Sequence, residues 1–346
     1  MCQLLGMNCA TPTDFNFSFS GFRLRGGVTD KHSDGFGLSF YQGRGLRTFV
    51  DTLPAASSPL ADMVSRFPIK TLNMIAHIRY ATQGETCLAN VHPFQRELWG
   101  CYFSFCHNGD IPKFSLKKSD KKEEDEEEEA KGDNNSDCLP LLGKTTVDNI
   151  IYTPVGDTDS EAVFCAILNA LKAEFDSPPP LSVLYSRLQE ICFEIVDGEE
   201  DTSIFNFLLA CGQFTLFTFS WPGSRPNSDV WNGLYYTIRQ PPFTRAELID
   251  MDYNIDFSTV TTEADRVAVI ATKPLTKNEV WVEIQKGELL MFDKGLPYGE
   301  AFKCEIVEKE GRGLSSRISY EKLDSILIPE SVNSFDSTLV NEVTRA

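Results

Sequence analysis

Short apolar runs, separated by glycine and polar turn residues, recur along most of the chain and predict a strand-rich fold. The runs are too short for typical helices, and they are rich in aromatic and β-branched side chains, which favour strands. They predict strands at residues 3–7, 35–41, 73–78, 100–106, 203–210, 213–220, 234–239, 267–272 and 280–284. Cys211 and Gly212 join two of these runs, which predicts a hairpin with glycine in its turn.

Two segments show helical spacing instead. In the run DTDSEAVFCAILNALKAEF, which follows Gly156, apolar residues recur three and four positions apart, and Thr158 with Glu161 forms a capping-box pattern. A second helix is predicted at residues 181–195, directly after three prolines. Strand groups combined with helices that have one polar face predict an α+β fold, in which helices cover two stacked sheets as a four-layer αββα sandwich.

The composition is that of a folded protein except in one acidic segment. Hydrophobic residues make up 42% of the 346 residues, which is enough for a full core. Between Lys117 and Asp137 there are ten acidic residues and five lysines, with almost no apolar side chain. We therefore expect a disordered acidic insertion at residues 115–145, tolerated at the surface. We also expect a polar C-terminal extension at residues 305–346.

Charge and cysteine spacing exclude several classes of function. The formal net charge of −18 argues against nucleic acid and anionic membranes as partners, because an acidic surface repels phosphate. The start of the chain has no signal-peptide pattern, and no apolar run approaches about 18 residues, so a cytoplasmic location is expected. The ten cysteines contain no CxxC pair and the four histidines no HExxH pattern. Neither a metal site nor a cofactor is expected.

Cys2 is the first candidate for chemistry. If Met1 is removed, the thiol and a free α-amino group belong to the same residue. An α-amine with a pKa of about 7.7 to 8 is partly unprotonated at neutral pH, and it can act as the base for the adjacent thiol. The alternative is that Cys2 is a small buried hydrophobic side chain at the start of a strand.

Other polar residues follow predicted strands or open a predicted helix. Asn108 and Gly109 follow a strand in FCHNGD, where a side-chain amide and a main-chain N–H can stabilise an oxyanion, although an ordinary Asn-Gly turn has the same sequence. Arg79 follows a strand and suits a carboxylate ligand or a salt bridge. Asp159 begins a helix, where it can pair with an ammonium group or only stabilise the helix dipole. Together with Cys2, these residues would suit a γ-glutamyl group.

Six motifs in this order, MCQLLGM, DGFGLSFY, HIRYATQG, NVHPF, HNGDI and GDTDSE, resemble those of the class II glutamine amidotransferases, which use an N-terminal nucleophile. RELWG and IATKPLT are similar to the stand-alone YafJ-like branch, which includes the amidotransferase-like subunit of fungal glutathione degradation. The resemblance extends from Met1 to about Leu290. It implies an N-terminal nucleophile hydrolase fold over residues 2–300, interrupted by the acidic insertion.

The resemblance also implies a role for each matching residue. It makes Cys2 the nucleophile with its own amine as base, and Asn108 with Gly109 the oxyanion hole. Substrate-binding residues are implied at Arg79, Thr82 and Asp159. A lid loop is implied at residues 26–37, with Gly26, Gly27, His32 and Asp34. Gln83 stands where many members of the family have histidine, so the wall of the pocket differs.

Several functions remain open at this point. The substrate can be glutamine, giving glutamate and ammonia through a γ-glutamyl thioester, or a γ-glutamyl peptide such as glutathione. Little foldable sequence is expected after about residue 284 and its following turn, so an acceptor-using amidotransferase would need an acceptor-domain partner in trans. A γ-glutamyl hydrolase would need none, although the subunit of glutathione degradation that the chain resembles works with a peptidase partner. A non-catalytic binding subunit with the same fold is a further alternative. A papain-like site would instead need Cys2 paired with His77, His92 or His107.

Overall fold

The computed structural model describes residues 2–82, 84–115 and 139–299, which form two large antiparallel sheets, one two-stranded sheet, four α-helices and four short 3-10 helices. In spatial order, the strands of the seven-stranded sheet are β13 (Val282–Glu283), β9 (Tyr235–Arg239), β12 (Val267–Ala271), β1 (Gln3–Asp14), β4 (Lys70–Ile78), β2 (Phe36–Gln42) and β3 (Gly45–Asp51). Those of the six-stranded sheet are β15 (Leu296–Tyr298), β14 (Glu288–Asp293), β8 (Thr215–Trp221), β7 (Ile204–Cys211), β6 (Cys101–Asp110) and β5 (Phe94–Leu98). Separately, β10 (Arg245–Glu247) pairs with β11 (Asn254–Asp256).

The helices cover the outer faces of the two sheets. The helices are α1 (Asn16–Leu24), α2 (Pro59–Ser65), α3 (Asp159–Glu174) and α4 (Leu181–Val196). Buried side chains of α1 and α2 pack against the seven-stranded sheet, and those of α3 and α4 pack against the six-stranded sheet. A third cluster, which includes Leu4, Ile75, Cys106 and Leu208, fills the space between the sheets. These layers confirm the predicted αββα sandwich.

Because side chains alternate along β6, its two faces contact different layers of the fold. Phe103 and Phe105 pack in the cluster under α3 and α4, whereas Cys106 lies between the sheets. Since successive side chains of a strand point to opposite faces, His107 faces α3 and Asn108 faces the other sheet. The first strand of that sheet begins beside Cys2, and its pairing places Gln3 opposite Ile78 at the end of β4. The start of β1 therefore lies beside the end of β4, and Arg225 connects Thr82, which follows β4, with Asp110 at the end of β6.

Several elements differ from the predictions. Helix α1 was not predicted, because Phe15, Phe17 and Phe19 alternate with polar residues as in a strand. Helix α2 was also missed, although Ser58 caps it by accepting hydrogen bonds from the N–H groups of Leu60 and Ala61.

Two further expectations near the end of the described chain were wrong. The strand predicted at residues 280–284 shortens to Val282–Glu283. The expectation that little foldable sequence follows residue 284 fails as well, because β14 and β15 extend the six-stranded sheet there.

Strands β3 and β5 were also absent from the prediction. Both lie at sheet edges, and their sequences are more polar than those of the central strands.

Residues 116–138, which hold most of the predicted acidic insertion, and the predicted extension at 305–346 lie outside the described residues. Residues 139–145 are described, and Leu142 is buried in the cluster beneath α3 and α4. In the described part of the chain, no helix is long and apolar enough to cross a membrane.

The aromatic cluster of the six-stranded sheet provides a test of the core. Phe207 is completely buried, and its ring lies 5.5 Å from that of Phe105 and 5.1 Å from that of Phe205. We expect Phe207→Ala to lower the free energy of unfolding by about 3 to 5 kcal/mol, measured by urea denaturation. Phe67→Ala is the control, since Phe67 is 56% exposed, and it should cost less than about 1 kcal/mol. Equal losses in the two variants would contradict the assigned core.

Candidate active site

The Cys2 thiol lies against the chain segment that follows β4. The Tyr80 main-chain N–H donates to Cys2 Sγ at 3.4 Å, and Sγ lies 3.6 Å from the Tyr80 carbonyl oxygen. Burial raises the pKa of the Cys2 thiol, whereas the Tyr80 hydrogen bond, the amino terminus, Arg225 and Arg79 act to lower that pKa. The thiol is therefore mostly protonated in the free protein, and its activation needs a base.

Asn108 brings an unpaired amide to the same end of the strands. The residue is 1% exposed, and neither its side-chain oxygen nor its side-chain nitrogen has a hydrogen-bond partner among the described residues. An unpaired buried amide costs about 1 to 3 kcal/mol, so natural proteins keep few of them. Such an amide can be explained by a ligand that completes its hydrogen bonds. An N–H donor held in this way is suited to an oxyanion.

Gly109 has to be glycine because of its contact with the neighbouring strand. A Cβ atom here would lie 1.7 Å from the Ile204 carbonyl oxygen, and the backbone has a φ of 153°. Residues with a side chain rarely adopt this conformation. The close approach of β6 and β7 therefore depends on the absence of a side chain beside Asn108.

Arg79 is 4% exposed and sits where β4 ends. Its main-chain N–H donates to Gly35 O at 2.8 Å, and its Nη1 donates to Glu85 O at 3.1 Å. The second contact anchors the guanidinium group, whose charge acts on the Cys2 thiol. Because a guanidinium group carries five N–H donors, it can hold such contacts and still bind a ligand carboxylate.

Asp159 is 4% exposed at the first turn of α3. Its Oδ2 accepts from the Ile111 N–H and its Oδ1 from the Ser160 N–H, both at 2.8 Å. Burial raises the pKa of the Asp159 carboxyl group, although these N–H groups and Arg225 partly oppose the rise. The carboxylate thus ties α3 to the chain after β6, and its remaining lone pairs can accept from an ammonium group.

The capping box predicted at this helix start is only half formed. The Thr158 hydroxyl accepts from the Glu161 N–H at 3.3 Å, as predicted. The Glu161 carboxylate, however, pairs with Arg96 and accepts from the N–H groups of Val155 and Gly156. A nearby arginine and two loop N–H groups therefore replace the N-cap main chain as its partners.

Thr82 is hydrogen-bonded to Arg225, which the sequence did not predict as a site residue. The Thr82 hydroxyl oxygen accepts from Arg225 Nη2 at 2.9 Å. Arg225 also forms a two-pronged ion pair with Asp110, the residue after Gly109. In the sequence, Arg225 stands within WPGSRPNSD, which is typical of an ordinary turn. The loop joining β8 to β9 brings it to the site.

Two of the predicted lid residues, His32 and Asp34, contact the segment at residues 79–81. Asp34 accepts from the Ala81 N–H at 2.8 Å, and the His32 ring packs edge-on against Tyr80. Gly26 closely contacts Ala55, which leaves no room for a side chain, and Gly27 has a φ of 104°. Asp34 and His32 therefore contact the segment that holds Arg79, whereas Gly26 and Gly27 lie against Ala55 and Pro54.

The other histidines form a separate buried group. The ring centres of His77 and His92 are 4.1 Å apart, and the main-chain N–H of His107 donates to His92 Nδ1. His107 bonds with the Ser160 hydroxyl at 2.8 Å and with Ile204 O at 3.2 Å. The hydrogen bonds of the Cys2 thiol go to Tyr80, so this is not the thiol–imidazole pair that a papain-like site needs. Within residues 2–82, 84–115 and 139–299, no three His, Cys, Asp or Glu side chains are grouped to hold a metal ion.

The chain belongs to the class II glutamine amidotransferases, whose family profile matches residues 1–137 and 141–312. The "Putative glutamine amidotransferase" of Haemophilus influenzae is 40% identical over 295 residues, which cover 85% of each chain. The "Putative glutamine amidotransferase YafJ" of Escherichia coli is 37% identical over 296 residues, 85% of this chain and 98% of that protein.

A solved structure has the same fold. The crystal structure of a "predicted glutamine amidotransferase" from Pseudomonas aeruginosa aligns with a TM-score of 0.56 and 35% identity, over 86% of this chain and 99% of that one. The family and the N-terminal nucleophile type of fold implied by the six sequence motifs are thereby confirmed.

The buried His107 predicts a pH dependence of stability. Burial lowers the pKa of His107 from 6.5 to about 4. Between these values the unfolded chain binds a proton that the folded chain does not, so the free energy of unfolding falls as the pH falls. We expect His107→Asn to remove about 3 kcal/mol of this fall between pH 6.5 and pH 4, measured by urea denaturation at each pH. Identical slopes in the variant and the wild type would contradict a neutral buried His107.

Proposed function

We propose that this protein hydrolyses the γ-glutamyl amide bond of glutamine, with Cys2 as an N-terminal nucleophile. The observation that carries the proposal is the unpaired, buried amide of Asn108, which lies at the same strand ends as the Cys2 thiol. Cys106, two residues before Asn108 on the same face of β6, interacts electrostatically with the Cys2 thiol. In a member of this family, an unpaired N–H donor on that face is best explained as one that binds the negative charge formed during acyl transfer.

In the proposed mechanism, removal of Met1 exposes the α-amine of Cys2. The amine takes the thiol proton as sulfur attacks the γ-carbonyl carbon, and the carbonyl oxygen becomes an oxyanion bound by Asn108 and Gly109. Collapse of this intermediate breaks the C–N bond, and the proton passes to the leaving nitrogen, which departs as ammonia. Water then attacks the thioester with the amine as base, which releases glutamate and restores the thiol.

Substrate binding is assigned to three residues around the thiol. The guanidinium group of Arg79 would hold the α-carboxylate, and the Thr82 hydroxyl would donate to the same group. The carboxylate of Asp159 would accept from the α-ammonium. Residues 26–37, through Asp34 and His32, would form the wall that closes over the bound γ-glutamyl group, since both contact the segment between Arg79 and Ala81.

The cations near the thiol support its role as nucleophile. Arg79 and Arg225 both lower the pKa of Cys2 against the effect of burial. The same positive field favours the thiolate that forms as the proton leaves, and it favours the negative charge that develops on the substrate oxygen. A buried structural cysteine such as Cys192 shows only the effect of burial on its pKa.

We expect the purified protein to release glutamate and ammonia from glutamine. Ammonia, glutamate and Cys-Gly are measured after incubation with glutamine or with glutathione, alone and with a candidate peptidase partner. Cys2→Ala should abolish turnover while leaving thermal unfolding unchanged. Cys101→Ala, which removes a partly exposed thiol from the far end of β6, should keep wild-type activity.

The products decide between the open alternatives. Release of Cys-Gly in preference to ammonia would replace glutamine by a γ-glutamyl peptide as substrate. Absence of glutamate from both substrates, even with the partner, would contradict the proposal and favour a binding subunit with the same fold.

Asn108 and Asn206 face each other on paired strands and should respond differently to truncation. Asn108→Ala should lower kcat about 100- to 1000-fold, because an oxyanion donor is lost, with little change in thermal stability. Asn206→Ala should lower the unfolding temperature, because its side chain bonds with Ser220 Oγ and with the carbonyl oxygens of Asn108 and Asn232. An Asn108→Ala variant with wild-type kcat would contradict the oxyanion role.

A further inference from the structure

The loop between β8 and β9, residues 222–234, is held at its base by several hydrogen bonds. Gly223 and Asn232 exchange main-chain hydrogen bonds of 3.1 and 3.0 Å at its base. The Asn232 side chain, 1% exposed, donates to Gly223 O and to Val230 O. Asn206 of β7 donates to Asn232 O at 3.3 Å. These bonds join the base of the loop to the strand that pairs with β6.

Arg225 extends from this loop and contacts two segments that are distant in sequence, at Thr82 and at Asp110. Its Nε and Nη2 form the ion pair with the Asp110 carboxylate, with Nη2 2.7 Å from Oδ1. Nη2 also donates to Thr82 Oγ1 at 2.9 Å and lies 3.5 Å from Gly109 O. One guanidinium group thereby connects the segment that follows Arg79 with the end of β6 next to Asn108.

We propose that Arg225 is a positioning residue of the active site, which holds the Thr82 hydroxyl and the Gly109–Asp110 main chain in the arrangement that binds the γ-glutamyl group. The proposal rests on the proposed function and extends it to a loop that none of the six sequence motifs includes.

The chemistry of the Thr82 hydroxyl explains why this contact matters. A hydroxyl group has one proton and two acceptor lone pairs. Because Arg225 can only donate, the Thr82 oxygen is the acceptor in their bond, and its own proton is left for another acceptor. A substrate carboxylate is such an acceptor. Without Arg225, the Thr82 side chain is free to rotate and to use its proton elsewhere.

Asp110 fixes the guanidinium group in turn. Two parallel N–H···O bonds to one carboxylate set the plane of the guanidinium group, which a single contact would not do. A lysine at this position would keep the positive charge, but it could not reach Asp110 and Thr82 with the same planar geometry. The substitutions Arg225→Lys and Arg225→Gln therefore separate the role of charge from the role of geometry.

The alternative is an ordinary surface ion pair. The side chains of Arg225 and Asp110 are 21% and 23% exposed, and exposed pairs usually contribute little to stability. Such a pair would affect neither substrate binding nor the thiol. Arg66 and Asp62 of the α2 region form an exposed pair of this kind at 2.5 Å, which provides a matched control.

The first test compares Arg225→Gln, Arg225→Lys and Arg66→Gln in glutamine hydrolysis. We expect both Arg225 variants to raise KM about tenfold or more with a smaller change in kcat, and Arg66→Gln to match the wild type. Thr82→Val should raise KM as well. The KM of the double variant Arg225→Gln/Thr82→Val should be about equal to that of the single variant with the higher KM, because both changes remove the same contact.

The second test does not need turnover. Cys2 is alkylated with iodoacetamide over a pH series, and its modification is followed by mass spectrometry of the Cys2 peptide. The groups that face the thiol are Arg79, Arg225, the amino terminus and the Cys106 thiol. Loss of one cation in Arg225→Gln should move the alkylation midpoint to higher pH, whereas Arg225→Lys should stay near the wild type.

The outcomes separate this inference from the proposed function. A wild-type protein that releases no glutamate overturns the proposed function, while the alkylation profiles still show whether Arg225 acts on the site. Arg225→Gln with a wild-type KM and a wild-type alkylation profile would overturn the inference. If Arg225→Gln unfolds, Asp110→Asn serves in its place, because it releases the same guanidinium group and should raise KM in the same direction.

Discussion

The pairing of β1 with β4 determines where the Cys2 thiol of this protein lies. Gln3 stands opposite Ile78, so the preceding Cys2 and the following Arg79–Tyr80 are neighbours. The ends of a chain usually fray, and a residue there is rarely held in place. Here β1 lies between β12 and β4, and its first seven residues are all buried, which holds the start of the chain in the sheet. A register shift by one residue would turn each side chain of β1 to the opposite face.

The close stacking of the two sheets completes the site. Gly6 of β1 faces Leu208 and Leu216 of the other sheet, and a Cβ at this position would lie 3.1 to 3.2 Å from their side chains. The layer between the sheets also contains Cys106, and the alternation along β6 carries Asn108 to the same side. Packing of the two sheets therefore sets the position of the Asn108 amide relative to the sheet whose first strand follows Cys2.

Much of the fold could be predicted because most central strands are buried apolar runs. The αββα layers follow from those runs and from the two helices with a clear apolar pattern. Edge strands and short helices were missed where the local pattern conflicted with the tertiary structure. At the start of α1, Phe15, Phe17 and Phe19 alternate with polar residues as in a strand, yet Phe15, Phe19 and Phe22 are all buried against the seven-stranded sheet. Tertiary packing decided that element.

The candidate site likewise contains residues that the sequence predicted and one that it did not. Cys2, Arg79, Asn108 and Asp159 lie in motifs whose residue types suit the chemistry, and the structure places them on connected segments. Arg225 could not be predicted, because its partners Thr82 and Asp110 are more than a hundred residues away in sequence. Only the folded loop brings them together. The sequence also left open that the Asp159 oxygens hold the main chain after β6.

The central claim is that Cys2 acts with its own α-amine as base. The most direct measurement compares glutamine hydrolysis by two forms of the protein, one that begins at Cys2 and one that retains Met1, with both termini verified by mass spectrometry. The account predicts full activity in the first form and a rate at least about 100-fold lower in the second, with equal thermal stability. Equal rates in the two forms would contradict it.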